Sequence, residues 1–400
     1  MDQSFVGRQP IYRQGVEVFG YELRSRNDEL NRTASAKDSA TATALLNEFV
    51  DVGLEQVAGG QPGFVDVTRD FILSQHCSNL PKNGVVLQVA ANAPADDSLL
   101  TELRRLSGHG YSIALKDYVY REEIRPLTGL AGIVKINIRG LDRSAIAEQV
   151  NALRQFDVKL LAEQVETHED YQYCKDLGFD YFEGYFFCKP QVTDDLRLPS
   201  NRLSTMHLLS KLQDASILLD ELERAVGQDL AMSYRILRYL NSPLNALPRR
   251  VDSIRHAIAL VGTDLIRQWA SVIWLESIED KPRELMVMAM VRAHMCQQLG
   301  AAMSSKNVDQ FFTVGLLSLL DALLDRPMGK ILEHLPLIEP IKGVLVERKG
   351  PMGAALKCIE AYERCDWNNT SCLNLDEKKI REAYLNAVAW SRTVIQELVN

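Results

Sequence analysis

The sequence predicts a parallel (β/α) barrel followed by an all-helical half, and three observations carry that prediction. Up to about residue 195, short β-rich runs alternate with helical runs, and from the second strand onward successive starts lie roughly 20–28 residues apart, the repeat of βα units. Each strand run ends in a polar residue, as expected where a barrel gathers its working side chains at the C-terminal ends of its strands. Beyond about residue 202 no stretch alternates with period two, and apolar residues recur at helical spacing instead.

The strand runs are 16–23, 63–67, 85–89, 112–115, 132–136, 159–162 and 180–182. Between them, 36–52, 97–107, 144–156 and 167–177 read as helices; Ser144 offers an N-cap to the third, and Gly178 stops the last. The strand ends carry Glu22, Asp66, Gln88, Lys116 with Asp117, Lys135 with Asn137, Glu163 and Glu183. A ring of polar strand ends fits a closed barrel better than an open sheet, where ligands gather at one switch point. Lys135 and Asn137 stand two apart and so face the same side of their strand.

Polar and turn-forming residues in TDDLRLPSN (193–201) mark the boundary, dividing the chain into 1–198 and 199–400. Helices are expected over 203–212, 218–226, 230–240, 253–261, 264–275, 283–303, 310–324, 328–334, 351–364 and 376–398. The run 311–324 is apolar nearly all round, which implies burial in a helical core. Met286, Met288 and Met290, with Trp269 and Trp274, read as core residues before binding residues.

Composition narrows the function classes. A net charge of −8 argues against a general nucleic-acid or anionic-membrane surface, since both need clustered Lys and Arg. MDQSFVGRQP has no apolar h-region, and no run of about 18 apolar residues occurs, so a cytoplasmic protein without a membrane span is expected. The seven cysteines fit reduced, structural thiols; Cys358, Cys365 and Cys372 fall at intervals of seven, without a CxxC or Cys/His pair.

Several segments resemble a known pair of domains. RQPIY (8–12), GYELRSR (20–26), YSIALKDYV (111–119), IVKIN (133–137), LLAEQVET (160–167) and YFEGYFFCKP (181–190) resemble the EAL domain, a TIM-like barrel that hydrolyses cyclic di-GMP. YRILRYLNSP (234–243), SIRHAIALVG (253–262) and VGLLSLLDALL (314–324) resemble the HDOD domain, a helical relative of HD-type phosphohydrolases that lacks their metal ligands. Together they run in the order of the two-domain EAL-HDOD signalling proteins.

The resemblance implies a two-metal hydrolase in which carboxylates and an Asn hold Mg²⁺ or Mn²⁺. On that pattern Glu22 is the retained first Glu, Asp66 replaces the Asn, and Gln88 replaces a metal-binding Glu. Lys116 replaces the first of two adjacent Asp residues and Asp117 keeps the second; Asn137 replaces the Asp of Lys-Ile-Asp. Lys135, Glu163 and Glu166 are kept, Glu183 replaces a Gln, and Arg26 stands at the phosphate-contacting Arg. Two carboxylates have thus become amides and one an ammonium. Like charges about 4 Å apart repel by several kcal/mol even at an effective dielectric near 20, so metal binding is expected to be weak. Lys116 can instead pair with Glu22, Asp66 or Glu163.

In the helical half the adjacent His-Asp pair of HD enzymes falls at Ser318-Leu319, and no His-Asp dipeptide occurs in the chain. His294, Asp321 and His256 are read as packing or surface groups. The expectation is a non-enzymatic signalling protein, with no resident cofactor, acting through protein–protein contact. The alternatives are a metal-dependent cyclic di-GMP phosphodiesterase and a non-hydrolysing receptor of that nucleotide. Candidate partners are an unassigned signalling protein, cyclic di-GMP and a second copy of the chain.

Overall fold

The computed structural model describes residues 6–25, 57–191, 209–214, 217–227, 229–242, 250–278 and 281–399. The expected helix 36–52, most of 203–212, Arg26 and the boundary at 198 lie outside the described residues. Two compact units emerge, one of residues 1–187 with Tyr362–Trp367, the other of 188–361 with 368–400.

The first unit is a closed eight-stranded barrel: β1 (Val6–Arg13), β2 (Val18–Ser25), β3 (Gly63–Asp66), β4 (Val85–Ala90), β5 (Ser112–Lys116), β6 (Ile133–Asn137), β7 (Lys159–Glu163) and β8 (Tyr181–Glu183). Strands β2 to β8 pair in parallel, whereas β1 is antiparallel to both β2 and β8. The sequence reading missed β1. Pro10 and the polar Arg8-Gln9 argue against a strand interior, and the β1–β2 ladder shifts register between Ile11 and Tyr12.

Helices α1 (Arg69–Leu73), α2 (Asp97–Gly108), α3 (Arg125–Thr128), α4 (Arg143–Leu153) and α5 (His168–Leu177) follow in chain order. Asp96 caps α2 by accepting from Leu99 N at 2.9 Å. The cap of α4 is Asp142, accepting from Ala145 N at 2.8 Å, and not the expected Ser144, which lies inside the first turn. A carboxylate two residues earlier meets the orphan N–H groups of the first turn and adds charge that favours the positive helix end. Thr167 and Gly178 bound α5 as the sequence indicates.

Inside the barrel the strands build two levels. Ile11, Phe64, Val86, Ala114, Ile133 and Leu161 form an apolar floor, with Phe19 and Tyr181 packed against it. Two residues beyond five of these floor positions come Asp66, Gln88, Lys116, Lys135 and Glu163, and Glu183 follows Tyr181 in the same way. Strand alternation places each such pair on one face, so the polar ring is a level above the floor.

The second unit is all-helical: α6 (Leu219–Gly227), α7 (Leu230–Leu240), α8 (Ile254–Val261), α9 (Thr263–Glu276), α10 (Arg283–Ala302), α11 (Val308–Leu317), α12 (Leu320–Leu324), α13 (Met328–Leu332), α14 (Glu339–Glu347), α15 (Gly350–Glu363) and α16 (Glu377–Val399). The expected helix 310–324 is two helices broken at Ser318-Leu319; Ser318 Oγ donates to Gly315 O at 2.7 Å, competing with the backbone ladder. Helix α14 was not expected; Pro340 stands in its first turn, where it is tolerated. Met286, Met288, Met290 and Trp269 are buried in the core. Helices α10 and α11 approach closely because residue 315 is glycine: a Cβ there would lie 2.4 Å from Arg292 O. None of the described helices is long and apolar enough to cross a membrane.

Candidate functional site

Lys135 is the centre of the polar ring. It is fully buried at the end of β6, where its ammonium donates to Glu22 from β2 and to Gln88 Oε1 at 2.7 Å. It also stands 2.9 Å from Glu163 Oε1 and 3.2 Å from Glu183 Oε2, and 5.7 Å above the Phe64 ring of the floor. A buried ammonium demands such company, since an unpaired charge out of water costs several kcal/mol.

Gln88 extends the network because an amide is both donor and acceptor. Its Oε1 accepts from Lys135 while its Nε2 donates to Asp66 Oδ1 at 3.2 Å, and the other Asp66 oxygen accepts from Lys116. A Glu at 88 could accept from Lys135 but would face Asp66 as a second carboxylate. Of the three partners the sequence allowed Lys116, Asp66 is the one that its ammonium contacts.

Arg24 was not singled out from the sequence. Its guanidinium reaches Glu183 Oε1 at 3.1 Å and Glu22 Oε1 at 3.4 Å. The signal was present: Arg24 is two residues from Glu22 in a strand and therefore shares its face.

The remaining candidates stand apart from this cluster. Asp117 is exposed with φ 53°, Asn137 Oδ1 accepts from Arg139 N at 3.0 Å, and Glu166 is exposed 3.9 Å from Arg139.

The electrostatics follow from the contacts. Burial alone would raise the Glu22 carboxyl, but Lys135, then Arg24, outweigh it and hold it down at about 2. For Glu183 burial prevails, joined by repulsion from Glu22 and Glu163 against the pull of Lys135 and Arg24, and pushes it up to about 7. Burial disfavours the Lys135 ammonium, yet Glu163, Glu183 and Glu22 raise it well above its usual range. Three cations (Arg24, Lys116, Lys135) face four acids (Glu22, Asp66, Glu163, Glu183). Protonating Glu183 brings this set to neutrality.

Among the described residues one set of donors has the spacing of an ion site: oxygens of Glu22, Glu163 and Glu183 lie within 4.8 Å of one another. The Lys135 ammonium sits against all three, and the Lys116 ammonium occupies Asp66. A cation at Asp66 would enter beside the Lys116 ammonium, with amides at 88 and 137.

In the helical half Ser318 is buried and its Oγ accepts from Arg292 Nη1 at 3.2 Å. His294 stacks on Trp390 with ring centroids 4.4 Å apart, and burial lowers it to about 4, leaving a neutral imidazole. Burial raises the Asp321 carboxyl against the pull of Arg292 and Arg348. Among the described residues neither His294 nor Asp321 joins a group of three metal-ligating side chains.

A closed barrel with acids at its strand ends, followed by a helical half with a serine where a chelating pair would fall, defines an EAL-type barrel coupled to an HDOD-type domain. The EAL domain profile matches residues 131–190 and the HDOD domain profile residues 198–324. The cyclic di-GMP phosphodiesterase CdgJ of Vibrio cholerae is 30% identical over 98% of this chain and 94% of its own length. The uncharacterized protein YuxH of Bacillus subtilis is 27% identical over 98% of both. A standalone EAL protein from Vibrio cholerae, solved in its c-di-GMP bound form, is 18% identical with a TM-score of 0.38, covering 47% of this chain and 93% of that one. The chain belongs to the family of proteins that join an EAL domain to an HDOD domain.

Proposed function

We propose that this chain is a catalytically silent EAL-HDOD signalling protein, acting in the cytoplasm, whose output is contact with another protein. The observation that carries this reading is the Lys116 ammonium on Asp66, linked through Gln88 to Lys135. Hydrolysis by two metals needs dications held among oxygen ligands, and here protein cations neutralise those oxygens. The helical half supports the same reading, since Ser318 binds a guanidinium where HD enzymes chelate metal. This reading keeps the division of the chain at 198/199.

A second reading, a metal-dependent cyclic di-GMP phosphodiesterase, is favoured by the Glu22, Glu163 and Glu183 trio and by the name of the relative CdgJ. Calorimetric titration with cyclic di-GMP, in excess Mn²⁺ and again in chelator, followed by product analysis, separates the readings. Silence predicts intact nucleotide in both buffers; a linear product formed with Mn²⁺ would overturn it. Binding without cleavage would make the barrel a receptor. The triple variant Lys116→Asp, Gln88→Glu, Asn137→Asp should bind Mn²⁺ at least tenfold more tightly, because it exchanges an ammonium and two amides for carboxylates. A folded variant with unchanged Mn²⁺ affinity would mean that these positions are not the ligand set.

A further inference from the structure

The helical unit holds a cavity of about 330 Å³, at the small end of the range for small-molecule sites. It opens among the first two turns of α9, those of α11 and the segment that leads into α14. Leu337 and Ile341, both buried, give it an apolar wall. The polar part of the lining is held in place by hydrogen bonds. Gln268, only 7% exposed, donates from Nε2 to Asp309 Oδ1 at 3.1 Å, and Thr313 Oγ1 donates to Asp309 O at 3.1 Å. Gln213 Nε2 donates to Ser271 Oγ at 3.0 Å, and that hydroxyl donates to Arg267 O at 2.8 Å. Side chains fixed in this way do not have to be ordered when a ligand arrives, which lowers the cost of binding.

Donors and acceptors on this lining are unequal in their partners. Arg267 donates from Nη1 to Asp264 Oδ1 at 3.2 Å, but its buried Nε has no acceptor among the described residues. Lys306, an exposed part of the lining, makes no ion pair among the described residues. The acids, by contrast, are engaged: Asp264 with Arg267, and Asp309 with Gln268. Neither α9 nor α11 has a side-chain cap at its start, so their first turns add partial positive charge to that of the two cations. A buried N–H without an acceptor is costly, so what this lining calls for is an oxygen anion.

We propose that this cavity binds a small organic carboxylate with a short aliphatic tail. The carboxylate accepts from Arg267 Nε and from the Lys306 ammonium, and the tail lies on Leu337 and Ile341. A guanidinium is the side chain best suited to a carboxylate, because its N–H groups match the oxygen pair. The apolar wall rewards each methylene that it takes from water. Asp264 and Asp309 limit the charge that can enter. With two cations and two acids on the lining, a monoanion leaves a single excess negative charge and a phosphate monoester dianion leaves two, so the dianion is disfavoured. The inference gives the helical unit a ligand of its own and does not rest on the reading of the barrel.

The test titrates the full-length protein with hexanoate, hexanol and hexyl phosphate, followed by ligand-observed NMR. Hexanoate should bind saturably and about tenfold more tightly than either of the others, since only it offers a single charge and a tail. Arg267→Gln should weaken hexanoate by about tenfold and Lys306→Gln by several-fold, with hexanol unchanged in both. Absence of saturable hexanoate binding, or equal affinity for hexanol, would overturn the proposal. So would unchanged hexanoate affinity in the two folded variants, which would place any binding elsewhere on the molecule. Hexyl phosphate bound as tightly as hexanoate would overturn the role given to Asp264 and Asp309. Because Lys306 is exposed, its variant and the comparison of probes on the wild-type chain decide the matter even where Arg267→Gln fails to fold.

Discussion

In the barrel mouth the buried Lys135 contacts three carboxylates and an amide, each within 3.2 Å. In the helical core Arg292 donates to Ser318 at 3.2 Å and stands 3.8 Å from Glu360, which has a nearer partner in Arg348 at 3.1 Å. Both cations are buried among polar side chains. They are not equivalent, however. Removing Lys135 would leave acids from three strands facing one another, whereas removing Arg292 leaves Glu360 paired. The barrel has made its cation indispensable and the helical half has kept a spare.

The largest effect that could break this contrast is on Lys135. Lys135→Met should destabilise the protein by about 3–5 kcal/mol, the usual result of stripping one partner from buried charges, read as a shift in urea midpoint. Arg292→Met should cost about 1–3 kcal/mol, because a buried serine loses its donor while Glu360 keeps Arg348. Equal losses in the two variants would erase the distinction.

Acidity sharpens it further. Glu183 is raised to about 7, so the folded chain holds a proton there that the unfolded chain has released. On that account stability falls as pH rises from about 4.5 to about 7, with a slope of at most about 1.4 kcal/mol per pH unit. Glu22 acts oppositely: held at about 2, its contribution is complete above about 4.5 and is lost as pH falls toward 2. Urea titrations across pH 3–8 should show the barrel passing through a maximum, and Glu183→Gln should flatten the upper limb. An unchanged upper limb in that variant would remove Glu183 from the explanation. The smallest effect is expected at His294→Phe, a change within about 1 kcal/mol, since the imidazole is already neutral and stacked on Trp390. A large loss there would reveal a polar duty for the ring.

The barrel's β2–β8 strands were legible because each is a short β-rich run with a polar residue at or beside its end, which is why Asp66, Gln88, Lys116, Lys135, Glu163 and Glu183 could be named together. Strand β1 was not, because Pro10 and two polar residues hide a strand whose outer and inner neighbours are supplied by other parts of the chain. Arg24 was overlooked for a different reason: attention to a two-metal pattern favours acids, and a cation serving the same acids belongs to no such pattern. The break at Ser318 likewise depends on a side chain turning back to Gly315 O, a tertiary choice that apolar periodicity does not record.

The reversed first strand also bears on the order of events in folding. Closure pairs Ile11 with Glu183, and the Lys135–Glu22 contact spans 113 residues. A growing chain can form the β1–β2 hairpin early, but its Glu22 stays hydrated until β6 arrives, and the ring stays open until β8 is made. Long-range closure of this kind slows folding and leaves strand edges unprotected meanwhile. The buried charges are therefore among the last groups to lose water, and the step that dries them is the step that shuts the barrel.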